Sequence, residues 1–258
     1  MDFGIQGRVA LVAAASKGIG LATASALIAE GCRVSICARH PEALEAALAQ
    51  LGPQAMGVLA DVTKPSDISA WVEKSRELGP VGILVTNTGG PPAGLVDTLT
   101  DEQWQLGFES TLLNVVRMVR CCLPDMQAQK WGRIVHITSL VAREANPLLA
   151  ISSTLRAGIM NLTRLQSTEF ARSGITVNGV LPGHTLTDRQ IHLAEIRAEK
   201  AKSTVDAMLA ETAREIPVGR LADASEIASA VAFLCSQQAG YITGTNVLVD
   251  GGLTKGMA

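Results

Sequence analysis

VALVAAASKGIG, residues 9–20, is an apolar run that breaks into a glycine-bearing turn and then into a helical stretch. Residues 9–14 show no polar alternation, as expected of a strand buried on both faces of a sheet. Ser16, Lys17, Gly18, Ile19 and Gly20 form the turn that leads into a helix over 19–30. Glycines at 18 and 20 let backbone amides approach a ligand closely. The helix start behind them offers unpaired N–H groups and a partial positive charge, so the turn suits a pyrophosphate.

Outward from that turn the same unit repeats. Apolar runs at 33–37, 55–59, 82–86, 133–138, 175–180 and 246–250 read as six further strands. Helical periodicity fills 41–51, 66–78, 101–128, 152–172 and 224–235. Repeated β-α units make right-handed crossovers and a parallel sheet covered by helices. The expected fold is α/β: a doubly wound, Rossmann-type three-layer sandwich with a seven-stranded, mainly parallel sheet. No linker or low-complexity tract divides the chain, so 1–258 is expected to be a single dinucleotide-binding domain. One polar, charged and helical segment, 184–216, interrupts the rhythm. In open α/β sheets ligands bind beyond the carboxyl ends of strands, which makes this segment a candidate substrate lid.

Composition narrows the function. At 258 residues with 47% apolar side chains, the chain can bury a substantial core. A net charge of −2 offers no basic footprint for nucleic acid or an anionic membrane. No run of about 18 apolar residues is present to span a bilayer. The opening MDFGIQGR lacks the basic and apolar regions of a secretory signal, and the expected location is the cytoplasm. Cysteines 32, 37, 121, 122 and 235 are scattered without CxxC spacing, as structural thiols in a reducing compartment would be. The four histidines show no ligand spacing, so no metal site is expected.

The second strand ends in Cys37-Ala38-Arg39-His40. NAD-binding proteins commonly place an acid there for the ribose hydroxyls. Here the acid is missing, Arg39 stands beside the vacancy, and Lys17 lies inside the glycine turn. Two cations and no carboxylate favour a 2′-phosphate, hence NADP(H) over NAD(H).

The order and spacing of these motifs, from residue 8 to 252, resemble the short-chain dehydrogenase/reductase family. Its Thr-Gly opening is Ala13-Ala14 here, and position 14 is one where glycine tolerates angles that alanine resists. The resemblance implies adenine contacts from Asp61-Val62, a backbone tie at Asn87, and room for the cofactor at Gly89. It also implies a nicotinamide pocket lined by Pro182, Gly183 and Thr185. The Val-Asp-Gly-Gly of 249–252 completes the pattern. At the catalytic end the family sets Ser on a strand end, Tyr thirteen residues later and Lys four beyond that. Ser139 matches the serine and Asn114 the upstream asparagine, but Ser152 and Arg156 stand in place of Tyr and Lys. The single tyrosine, Tyr241, lies near the C-terminus.

A serine hydroxyl is a far weaker acid than a phenol, and arginine stays protonated at neutral pH. Arg156 could instead hold ribose hydroxyls or the cofactor, or clamp an anion. His184, directly after Pro182-Gly183, is a candidate acid or base, alongside a wall-residue role. Glu144 and Arg143 are candidate substrate contacts or a loop ion pair. His136 reads as a core histidine.

Three readings follow. One is an NADP(H)-dependent oxidoreductase acting on a small-molecule carbonyl or alcohol with a non-standard proton source. Another is a non-redox enzyme that uses Arg156 to bind an anionic substrate. The third is a catalytically impaired, regulatory subunit that pairs with an active paralogue. The resemblance implies a homodimer or homotetramer assembled through the helices at 101–128 and 152–172.

Overall fold

Alternate residues of the first strand feed two separate cores. Ala10 and Val12 of β1 (Val9–Val12) pack on one side of the sheet, and Val9 and Leu11 on the other. This is the period-2 geometry of a strand that is buried twice. The computed structural model describes residues 2–256.

In chain order β1 is followed by α1 (Gly18–Ala29), β2 (Arg33–Ala38), α2 (Pro41–Leu51), β3 (Ala55–Leu59), α3 (Pro65–Ser75) and β4 (Val81–Thr86). Then come α4 (Asp101–Phe108), α5 (Asn114–Gln129), β5 (Gly132–Ile137), α6 (Ala150–Phe170) and β6 (Ile175–Pro182). The chain ends in α7 (Asp188–Ala201), α8 (Val205–Glu215), α9 (Ala224–Cys235) and β7 (Asn246–Val249). The sheet order is β3-β2-β1-β4-β5-β6-β7, and every pairing is parallel rather than mainly so.

Helices α1, α2 and α9 cover one face with Leu27, Leu44, Ile227 and Val231. Helices α3 and α5 cover the other with Trp71, Met118 and Met126, joined by Phe170 of α6. The architecture is the doubly wound, Rossmann-type sandwich expected from the sequence. Among the described residues no helix is long and apolar enough to cross a membrane. None of their His, Cys, Asp or Glu side chains group as a metal site.

The helix expected as one piece over 101–128 is instead broken. A single π turn, Glu109–Leu113, separates α4 from α5, so that Asn114 opens α5 in full burial. Wide turns of this kind insert one extra residue and re-aim whatever follows. The strand order turns back at β1, which lies beside both β2 and β4, and ligands bind at such a switch point in sheets of this kind.

Candidate active site

Parallel pairing brings every strand's carboxyl end to one edge, where the turns after β1, β4, β5 and β6 carry most of the candidates read from the sequence. The turn after β1 is tight. Ala14 has φ 48°, a left-handed conformation that an alanine adopts at a cost. The Asn87 amide, at the end of β4, donates to the Ala13 carbonyl at 3.2 Å and the Ala14 carbonyl at 3.1 Å. That clamp holds the turn in its strained shape. Gly18 has φ 56°. A Cβ at Gly20 would stand 2.8 Å from the Ala14 oxygen, so only glycine lets α1 sit this close behind β1.

Lys17 is the N-cap of α1 without a side-chain cap, and the first turn of that helix carries no acid. Its amides therefore face no competing carboxylate of their own helix. Open space surrounds the α-carbon of Gly89. Arg39 is exposed at the end of β2. Asp61 accepts from the Thr63 amide at 3.0 Å and the Thr63 hydroxyl at 2.9 Å. Burial pushes its carboxyl up, but those bonds, with Arg39 and Lys64 nearby, hold it below the usual range. Val62 is half-buried beside it. An uncapped helix start, open space at Gly89 and a cationic rim fit a phosphorylated dinucleotide.

At the end of β5, Ser139 is half-buried and accepts only a long bond, 3.4 Å, from the Val141 amide. Ser152 and Arg156 lie one turn apart on α6, each nearly closed off from solvent. Arg156 Nε donates to Ser152 Oγ at 3.2 Å, and Nη1 donates to the carbonyls of Ile137 (3.2 Å) and Thr138 (2.7 Å). This ties α6 to the strand end that carries Ser139. It also commits most of the donor fork that could otherwise have held ribose hydroxyls; among the described residues only Nη2 lacks a partner. Burial, with the charge of Arg189 adding to it, pushes the guanidinium down to about 10, which still leaves it charged at neutral pH. Asn114 closes on its own helix, donating to Ser110 O and accepting from the Val115 amide.

Beyond β6, Gly183 rests so close to Asp250 that a Cβ would lie 2.7 Å from its Cα. Thr185 is buried and donates to the Gly183 carbonyl at 3.2 Å. His184 turns elsewhere, into a cavity of about 170 Å³ lined also by Ile216, Arg220, Glu226 and Asp250. Neither Ser139, Ser152, Arg156 nor Asn114 lines that cavity. Glu144 accepts from the Lys255 and Gly256 amides, binding the C-terminal strap rather than Arg143. His136 is a satisfied core residue between Thr86 and Gln166. Tyr241 is fully exposed.

Sequence reasoning missed the start of α7. Thr187 caps that helix and lies 3.3 Å from where a Gly18 Cβ would be. Asp188 pairs with Lys17 at 3.3 Å, both exposed. The guanidinium of Arg189 fills the space above Gly90 that a side chain there would need. Thr-Asp ahead of an amphipathic run is a helix-start signal, and it was there to be found.

The family model described as enoyl-(acyl carrier protein) reductase matches residues 13–254. The 3-oxoacyl-(acyl-carrier-protein) reductase FabG of Escherichia coli is 36% identical over 249 residues, covering 96% of this chain and 98% of the relative. The L-sorbose reductase of Gluconobacter frateurii, solved with NADPH and L-sorbose, superposes with a TM-score of 0.96 at 33% identity over 100% of both chains. A short-chain oxidoreductase of Pseudomonas aeruginosa PAO1, described as containing an atypical catalytic centre, superposes at 0.91 with 34% identity, covering 98% of this chain and 100% of that one.

Proposed function

The chain belongs to the short-chain dehydrogenase/reductase family, and from that premise we propose that it is an NADP(H)-dependent oxidoreductase interconverting a carbonyl and an alcohol. One observation carries the reading. Ser152 and Arg156 are hydrogen-bonded to each other, and Arg156 also to the strand end beside Ser139, which supports reading them as one catalytic unit. The cofactor's pyrophosphate would meet the amides of Ser16 to Gly20, and a 2′-phosphate would meet Lys17 and Arg39. Asp61 and Val62 would border the adenine, and Pro182, Gly183 and Thr185 the nicotinamide. When bound, NADPH supplies the hydride for the carbonyl carbon.

The protein's part is to bind, orient and polarise. Ser139 has its hydrogen free to donate to the substrate oxygen. Ser152 accepts from Arg156, which leaves its own hydrogen to donate to the same oxygen. Two hydroxyl donors stabilise the developing alkoxide electrostatically, and the proton itself comes from water. Arg156 keeps its proton and acts by fixing Ser152. Lacking a positioned general acid, turnover is expected to be slower by about 10²–10⁴ than with one. The 184–216 segment, as α7 and α8, would close over the substrate. The expected assembly is a homodimer or homotetramer.

The test is single-turnover NADPH oxidation with a panel of small carbonyl compounds. Ser139→Ala is expected to slow hydride transfer by about 10²-fold, as removal of one oxyanion donor does. No NADPH consumption with any carbonyl, or none of the loss in the variant, would contradict the proposal.

A further inference from the structure

Beyond Val249 the chain turns back over the sheet as a strap, 250–256. Gly251 and Gly252 take left-handed backbone at its root, with φ 66° and 83°. The Asp250 carboxylate accepts from the amides of Gly252 at 3.0 Å and Thr254 at 2.9 Å, which fixes the direction the strap takes. At the far end the Glu144 carboxylate accepts from the Lys255 amide at 2.7 Å and the Gly256 amide at 3.4 Å. Glu144 belongs to the loop after β5, the strap starts at the end of β7, and β6 lies between those two strands. The strap therefore joins the two neighbours of β6 beyond its carboxyl end. Two strand spacings amount to about 10 Å. Six residues can reach about 20 Å, so the strap crosses with slack.

Both ends of the strap meet groups already placed at the site. Its root lies against Gly183, where a Cβ would fall 2.7 Å from the Asp250 Cα. Its tip is fastened to a turn continuous with Ser139. There the Ala142 amide donates to the Ser139 carbonyl at 3.0 Å, and the Glu144 amide to the Leu140 carbonyl at 3.1 Å. Ligands of such sheets bind beyond the carboxyl ends of the strands, which is the space this strap crosses.

We propose that Glu144 is the latch of the strap, and that the latched strap is the wall that limits how large a carbonyl substrate fits beside Ser139. This rests on the oxidoreductase reading above. Glu144 is a positioning residue: it takes no part in hydride or proton transfer and acts on the substrate through the strap. Glycines at the root let the strap swing, and a charge-assisted pair of bonds at the tip keeps it down. Small carbonyl compounds react with the strap latched. Bulkier ones need it lifted and meet the cost of breaking the latch.

The experiment pairs two readouts on wild type, Glu144→Ala and Glu144→Gln. The first is hydrogen exchange of the C-terminal peptide in the free protein. The second is kcat/KM with NADPH and methyl ketones of increasing bulk, from butanone to benzylacetone. Glu144 is exposed, so both variants should keep the thermal midpoint of wild type. In Glu144→Ala the amides of residues 255 and 256 are expected to exchange about fivefold faster or more. The kcat/KM of benzylacetone relative to butanone should rise by about fivefold or more, through a lower KM. Glu144→Gln keeps a neutral acceptor oxygen and is expected to fall between the two. Unchanged exchange in Glu144→Ala would overturn the latch, and faster exchange with an unchanged ratio would overturn the wall. A wild type that reduces no carbonyl ends the oxidoreductase reading and the size limit with it. The exchange comparison needs no cofactor and decides the latch by itself.

Discussion

Ala14 and Arg156 stand where the resemblance implies glycine and lysine, and hydrogen bonds hold the local structure at each. At Ala14 the left-handed backbone is held by the Asn87 amide. That position was legible through the resemblance, which implies a glycine where Ala14 stands. What Arg156 does was not legible. Its acceptors are carbonyls of residues 137 and 138, on a strand that only tertiary packing brings to α6. His136 was legible as a core histidine, and it carries a prediction of its own. Burial pushes its pKa down to about 4, with the Gln166 bond opposing, against 6.5 for the free side chain. Between those values the unfolded chain binds the extra proton, so stability falls as pH drops from about 6.5 to about 4. Urea midpoints across that window should decline in wild type and decline less in His136→Asn. Parallel slopes in the two proteins would remove His136 as a cause.

At the level of elements, strand and helix positions were readable because a doubly buried strand is an unbroken apolar run and its helices are amphipathic. The 55–59 strand and the 41–51 and 224–235 helices match the expected bounds residue for residue. The π turn at Glu109–Leu113 escaped notice because one added residue barely disturbs a 3.6-residue period. The contacts of α7 escaped for a different reason: they depend on where a helix lands, which periodicity does not encode. Asp188 of α7 holds the Lys17 ammonium that a 2′-phosphate would need. An exposed pair of this kind is weak, so its removal should matter only modestly. Asp188→Asn is expected to tighten NADPH binding by up to about fivefold and to leave NADH unchanged. An equal change for both cofactors would separate Lys17 from the 2′-position.

For the whole molecule, the parallel sheet sets the carboxyl ends of its strands along one edge, and the resemblance implies that the long helices meet another copy. On α6, Leu165 is 68% exposed, an apolar side chain presented to water on a helix expected at an interface. Leu165→Asp should convert an assembled form to monomer, read by light scattering after gel filtration. A monomeric wild type, or an unaltered assembly in the variant, would take α6 out of the interface.

The cofactor reading rests on charge at two strand ends, Lys17 after β1 and Arg39 after β2. The measurement that tests it most directly is calorimetric titration of the purified protein with NADPH and with NADH. The account predicts NADPH binding tighter by about tenfold or more, the value of one or two charge-assisted bonds to the 2′-phosphate. Equal affinities would contradict the Lys17/Arg39 assignment, and binding of neither would contradict the oxidoreductase itself.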